Sequence, residues 1–376
     1  MPDADSDRPA GARSLWLNAD GVSISVIDQT RLPHEIRVAE LRTTHDVAHA
    51  IRTMMVRGAP LIGATAAYGL CFAVAEDGSD ASIRAAIDVL RATRPTAINL
   101  HHAVQAMADA LAALPVDERR EAAFAQAESI CEQDIAMNEA IGRHGLSLLR
   151  ARAAGSRPIE VLTHCNAGRL ATVAWGTALA PVYLAREAGL PVHVWVSETR
   201  PRNQGAALTA WELRDADVPY TLIADNAAGH LLQRGMVDLC IVGTDRTLPT
   251  GDVCNKIGTY LKALAAKAHE IPFYVAAPSP SIDWALEDAM SIPIEERSGD
   301  EVLFVDGVTA GGETARVRLS PADSKAANFA FDVTPAHLVS GLITERGVCD
   351  ASPAGLRQLF PEHFANAGPS RAASDA

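Results

Sequence analysis

Five short β-rich runs follow Gly155, and their spacing most constrains the fold. They are 159–163 (Ile-Glu-Val-Leu-Thr), 192–196 (Val-His-Val-Trp-Val), 220–223 (Tyr-Thr-Leu-Ile), 239–242 (Leu-Cys-Ile-Val) and 273–276 (Phe-Tyr-Val-Ala). Helical segments of ten to twenty residues are expected between them. Strands alternating with helices imply βαβ units and a Rossmann-like, doubly wound parallel sheet. Pro191, Pro219 and Pro272 precede three of the runs, where no ladder donor is yet needed.

The first part of the chain has another texture. Leu15, Leu17, Val22, Ile24 and Val26 alternate, predicting a small antiparallel sheet over about 15–36. Helical periodicity then runs from 44 to 153. Thr44 is the candidate cap of a helix facing inward through Val47, Ile51, Met54 and Met55. Further apolar stripes are Ile83, Ile87, Leu90 and Leu100, Val104, Met107, Leu111, and a long helix is expected over 117–152. The fold class is thus α/β, with an N-terminal helical domain carrying a small antiparallel sheet (15–153) and a Rossmann-like domain (154–365). Residues 1–14 and 366–376 read as a disordered leader and tail, and the leader has no apolar signal region.

The formal charge of −13 disfavours nucleic acid and anionic lipid as partners. Gly58–Ala75 is an 18-residue uncharged stretch, long enough to span a bilayer. Its Pro60, Gly63 and Gly69 suit a tightly packed buried helix instead, so no membrane is expected. The six cysteines include no CxxC pair, which reads as a reduced, cytoplasmic protein. No His, Cys or Asp cluster has metal-ligand spacing, so no metal is expected. Neither GxGxxG after the first strand nor GxxxxGK[ST] occurs, so no nucleotide cofactor is expected.

Ligands of an open parallel sheet bind beyond the carboxyl ends of its strands. Those ends carry Thr163-His164-Cys165-Asn166, Ser197-Glu198-Thr199-Arg200, Asp225-Asn226 and Gly243-Thr244-Asp245-Arg246. Cys165 is a nucleophile or base, or a small buried hydrophobe. His164 is expected to be structural, pointing away from Cys165. Asp225 and Asn226 are site residues, or only turn and cap residues. Arg200 and Arg202 bind an anion or pair with Glu198. Arg57-Gly58-Ala59-Pro60 opens a helix whose free N–H groups, flexible Gly and adjacent Arg suit a phosphate. Arg94-Pro95-Thr96 is a weaker anion signal, and Asn255 and Lys256, ahead of another expected helix, can serve a polar ligand.

These segments resemble a known family. Arg57-Gly58-Ala59-Pro60 with Gly63 and Ala66-Ala67-Tyr68-Gly69 is similar to a signature of methylthioribose-1-phosphate isomerases. So are Arg94-Pro95-Thr96-Ala97-Ile98-Asn99-Leu100, Leu162–Gly168, Glu198–Ala206, Leu208–Leu213, Gly251–Val253 with Asn255–Tyr260, Ile292–Arg297 and Phe331–Leu338. The match runs from about 15 to 348 and departs at Ser197, His101-His102 and Thr247–Thr250. The resemblance implies a homodimer that converts 5-methylthioribose 1-phosphate to 5-methylthioribulose 1-phosphate in methionine salvage. It puts the catalytic pair on Cys165 and Asp245. Substrate contacts fall on Arg57, Gly58, Ala59, Arg94, Gln204, Asn255 and Lys256. Alternatives are an isomerase of 5-deoxyribose 1-phosphate or ribose 1,5-bisphosphate, and a non-catalytic regulatory protein of the same fold, related to the exchange-factor subunits of translation initiation.

The C1 oxygen of such a substrate carries phosphate, so its ring does not open directly to an aldehyde. Asp245 is the candidate acid at the ring oxygen, and Cys165 the group handling the C2 or O2 proton. With protein groups supplying both functions, exhaustive EDTA treatment is expected to leave turnover unchanged. Loss of activity restored by one divalent ion would overturn that expectation.

Overall fold

The computed structural model describes residues 13–365. The expected leader and tail lie outside the described residues, except for Arg13 and Ser14. Ser14 is buried and its N–H donates to the Val173 carbonyl at 2.9 Å.

Strands β1 (Leu15–Leu17), β2 (Ile24–Ile27) and β3 (Val38–Leu41) form an antiparallel sheet in that order. Helices α1 (Thr44–Arg52), α2 (Ala59–Glu76), α3 (Asp80–Arg91), α4 (Ile98–Ala112) and α5 (Arg119–Arg150) follow. The cap of α1 is Thr43 rather than Thr44: Thr43 and Asp46 form a reciprocal capping box, while the Thr44 hydroxyl donates to Gly69 O at 2.8 Å. Met54 lies beyond the helix end, at φ +61°. Helix α2 is apolar on every side, so it must be buried on every side. It is long and apolar enough to cross a membrane, but 83% of that window is buried inside the protein. Its glycines admit its neighbours: a Cβ at Gly63 would lie 2.9 Å from the Asn99 carbonyl oxygen of α4.

The rest of the chain comprises β4 (Ile159–Thr163), α6 (Ala180–Glu187), β5 (Val192–Ser197), α7 (Ala210–Asp215), β6 (Tyr220–Ile223), α8 (Ala227–Gln233), β7 (Leu239–Val242), β8 (Arg246–Thr247), β9 (Val253–Lys256), α9 (Thr259–Ala268) and β10 (Phe273–Ala276). After these come α10 (Asp300–Leu303), β11 (Phe304–Val308), β12 (Thr314–Arg318), β13 (Phe331–Thr334), β14 (Gly341–Thr344), β15 (Gly347–Cys349) and α11 (Pro353–Leu359). The five strands expected from sequence pair in parallel in one seven-stranded sheet, ordered β15-β14-β10-β7-β4-β5-β6. The chain builds outward from β4 through β5 to β6, then crosses to β7 on the other side of β4. The β4/β7 boundary is therefore the topological switch point, where a crevice opens.

The connections are less helical than expected: residues 164–179 form a loop with one short 3-10 turn, and α6 has eight residues. That backbone is diverted to side-chain partners described below. Asn255 and Lys256 precede helix α9 as expected, and they end strand β9, which pairs with β8 and β13 in a separate small sheet. Strand β14, with its antiparallel edge partner β15, was not anticipated from the short Gly-Leu-Ile-Thr run.

Helix α5 serves two cores. Its first half places Ala123, Ala127 and Cys131 among the helical layer, and its second half places Ile141, Leu146 and Leu149 against β4, β5 and α6. Gly142 and Gly145 let α6 approach; a Cβ at Gly145 would lie 2.3 Å from Pro181 Cγ. Gly145→Val is expected to lower unfolding free energy by about 1–3 kcal/mol through overpacking. Gly229→Ala in α8, where nothing lies within 4 Å, should instead stabilise by up to about 1 kcal/mol. Denaturant midpoints of the two variants check both signs.

Candidate active site

The crevice at the β4/β7 switch is lined by all nine residues that the family resemblance marks: Arg57, Gly58, Ala59, Arg94, Cys165, Gln204, Asp245, Asn255 and Lys256. Cys165 follows β4 and Asp245 follows β7, two strands paired directly through Leu162 and Cys240. Asp245 is anchored by its N–H, which donates to Cys254 O at 3.1 Å.

Cys165 is 8% exposed and has left-handed backbone, φ +64°. Its N–H donates to Thr199 Oγ1 (2.8 Å), its carbonyl accepts from Thr209 Oγ1 (2.7 Å), and its thiol donates to Gln204 Oε1 (3.2 Å). Burial pushes the thiol pKa up, while Arg57 and Lys256 pull it back. Burial also raises the Asp245 carboxyl, against the attraction of Lys256, Arg94 and Arg57, with Glu295 adding to the rise. Burial lowers Lys256, and the charges of Cys165 and Asp245 oppose that. These ionisations are interdependent, as expected of titratable groups sharing a dry crevice.

Helix α2 begins at this crevice. Gly58 has φ +90°, and a Cβ there would lie 2.5 Å from Ala171 Cα, so only glycine fits. Its start has no side-chain cap, leaving backbone N–H groups for an anion. Arg57 is 7% exposed and fixed by Asn166, donating to its Oδ1 at 2.5 Å and to its carbonyl at 2.7 Å. Arg94 pairs with Glu295 at 3.0 Å, and its Nε is buried without a partner. Asn255 Nδ2 donates to Thr259 Oγ1 at 3.1 Å. Apolar surface comes from Met54, Ile62, Ala97, Ile292, Pro293 and Phe331.

Other candidates resolve differently. His164 is buried, with Nε2 2.8 Å from Ile257 O, and burial pushes its pKa down to about 3, so it is neutral. Asp225 caps no helix, and Asn226 makes no capping side-chain bond; Asp225 instead binds the loop after β5. Arg200 and Arg202 do not pair with Glu198. Arg202 bonds Glu301 at 2.7 Å, and Arg200 donates to Val302 O at 2.9 Å. Glu212 was missed. Fully buried, it accepts from Asn166 Nδ2, Arg169 N, Leu170 N and Tyr183 OH at 2.7–3.1 Å, holding the loop beyond Cys165 and, through Asn166, Arg57. Its sequence signal was its place in the Leu208–Leu213 segment that resembles the family, which by itself names no role for the carboxylate. Among the described residues, no group of three or more His, Cys, Asp or Glu is placed to hold a metal ion.

The sequence profile of the initiation factor 2 subunit family matches residues 55–351. The methylthioribose-1-phosphate isomerase of Rhodospirillum rubrum is 60% identical, covering 93% of this chain and 92% of that one. Its counterpart in Sinorhizobium medicae is 62% identical, covering 93% and 97%. The crystal structure of 5-methylthioribose 1-phosphate isomerase from Pyrococcus horikoshii superimposes with TM-score 0.80 at 38% identity, covering 93% and 96%. A structure titled translation initiation factor eIF-2B, subunit delta, from A. fulgidus superimposes with TM-score 0.77 at 40% identity, covering 93% and 100%.

One wall of the crevice rests on a buried acid. Ala171 and Thr172 line the pocket, and the next residue, Val173, donates its N–H to Asp134 Oδ2 of α5 at 2.7 Å. Burial pushes the Asp134 pKa up from 3.8 to about 7, against the lowering effect of that N–H. The folded state therefore holds this proton more tightly than the unfolded chain. The stability it confers is full below the unfolded value and is lost as pH rises through the folded one. Asp134→Asn should abolish this dependence. Relative to the variant, the wild type is expected to lose up to about 1.4 kcal/mol per pH unit across that window. Urea unfolding of both proteins at several pH values measures the difference; parallel profiles would refute it.

Proposed function

The chain belongs to the initiation factor 2 subunit family and, within it, to the methylthioribose-1-phosphate isomerases, and we propose that its isomerase chemistry is carried out by Asp245 and Cys165. It is an aldose–ketose isomerase converting 5-methylthioribose 1-phosphate to 5-methylthioribulose 1-phosphate, a step of methionine salvage. The observation carrying the residue assignment is the convergence of Cys165 and Asp245 at one switch point, facing the start of α2.

Arg57, the α2 start at Gly58 and Ala59, and Arg94 hold the phosphate. Asn255, Lys256 and Gln204 meet the sugar and the catalytic groups. Asp245, whose hold on its proton burial strengthens, gives that proton to the ring oxygen as the bond from that oxygen to C1 breaks. Hydrogen then moves from C2 to C1. In one route Cys165, its thiolate favoured by Arg57 and Lys256 against the cost of burial, takes the C2 proton and returns it to C1 through an enol, whose O2 proton passes back to the Asp245 carboxylate. In the other, hydride shifts directly while Cys165 takes the O2 proton. Either way C2 ends as a carbonyl and C1 as a phosphorylated CH2. Both routes need a crevice shielded from water, and the burial of Cys165, Asn255 and Arg57 supports this.

Apolar surface from Ile292, Pro293 and Phe331 favours a methylthio group over a second phosphate at C5. We take the pocket to lie between units 15–153 and 154–365 of a cytoplasmic homodimer, a reading supported by the family and by six cysteines without disulfides. The A. fulgidus structure, titled as a translation factor subunit, motivates a non-catalytic alternative. The Cys–Asp crevice and the 60–62% identity to isomerases favour catalysis.

Cys165→Ser and Asp245→Asn should each cut kcat by roughly 10²–10⁴-fold. Arg57→Ala should mainly raise KM, losing about 2–4 kcal/mol of binding. Full activity of either catalytic variant, or a wild-type protein that binds sugar phosphates without turnover, would reject the assignment.

A further inference from the structure

Asp225, at the end of β6, does not line the crevice, yet its carboxylate is a hub. Oδ1 accepts the Ser197 hydroxyl and the Thr199 N–H (2.8 Å), and Oδ2 accepts the Arg200 N–H (2.7 Å). Lys262 Nζ and His164 Nδ1 each lie 3.9 Å from Oδ1. Burial raises its pKa, but the Ser197 and Arg200 donors and Lys262 hold it below the ordinary carboxylate range, so it is ionised at neutral pH.

The loop it holds is conformationally disfavoured. Thr199 has φ +67°, a genuine outlier for a β-branched residue, and Asn203 has φ +55°. Thr199 Oγ1 donates to Ser197 O (2.9 Å) and accepts the N–H of Cys165, itself left-handed. Farther along, Gln204 Oε1 accepts the Cys165 thiol at 3.2 Å. The loop is folded tightly on itself: a Cβ at Gly205 would lie 1.8 Å from Ser197 O. One loop thus grips Cys165 at its backbone and at its sulfur.

We propose that Asp225 is a positioning residue, whose carboxylate clamps the Ser197–Gln204 loop so that Thr199 fixes the Cys165 backbone and Gln204 orients its thiol. Its effect on turnover rests on Cys165 being catalytic; its effect on thiol geometry does not. Asp225→Asn keeps the shape but replaces one acceptor oxygen with an NH2 facing N–H donors. With 5-methylthioribose 1-phosphate, kcat should fall by roughly 10–100-fold while KM stays within about twofold. Iodoacetamide labelling, followed peptide by peptide, should show Cys165 alkylated roughly tenfold faster as the loop opens. The remote Cys71, Cys131 and Cys349 should be unchanged. Thr199→Val should reproduce this, Thr199→Ser should restore most of the loss, and the double variant should be no worse than either single one. If Asp225→Asn does not fold, the Thr199 pair decides. Unchanged kcat, unchanged Cys165 labelling, or equal acceleration at every cysteine would overturn the clamp. A fully active Cys165→Ser would instead reject the catalytic reading, and the labelling would still decide the clamp.

Discussion

The parallel pairing of β4 with β7, through Val161 opposite Leu239 and Leu162 opposite Cys240, sets everything that follows. These strands are neighbours in the sheet although β5 and β6 separate them in the chain. The order in which strands are added to the sheet reverses there, the flanking connections diverge, and the crevice opens. A thiol ending one strand and a carboxyl ending the other then share a volume that no helix fills.

That volume is electrostatically expensive, and much of the surrounding structure offsets the cost. Charged forms of Cys165, Asp245, Lys256 and Arg57 are each disfavoured by burial, and each is partly restored by the others. Removing one member would leave its partners uncompensated, the situation in which buried charges become costly. The wall groups are pinned by carboxylates lying outside the reacting volume. Glu212 holds Asn166 and the loop beyond Cys165, Glu295 holds Arg94, and Asp225 holds the loop after β5. Each takes several donors, so little of its charge is left unmatched.

The helical layer contributes through closeness. Gly58 allows the start of α2 to meet Ala171, and α5 joins that layer to the sheet by packing on both. Gln29 and Ser14 add bonds to the 169–170 turn, at 2.7 Å to Leu170 O and 2.8 Å to Arg169 O. The β1–β3 sheet therefore bears on the crevice wall although it contributes no residue to it.

Periodicity alone determined the strand runs, the apolar helix stripes and the buried character of α2, because these depend on neighbours a few residues away. Strand-end chemistry and motif resemblance located the nine pocket residues. Strand order belonged to the tertiary structure, as did the strand identity of 253–256, since pairing depends on partners distant in sequence: Asn255 lies opposite Asp332, and Arg57 meets Asn166 across 109 residues. Thr43 displaced Thr44 as cap because Gly69 O claimed the Thr44 hydroxyl, again a long-range contact. Glu212 and Asp225 carried only weak local signals. A carboxylate becomes a clamp when folding brings several N–H and O–H donors to it while removing water, and no sequence window contains that event.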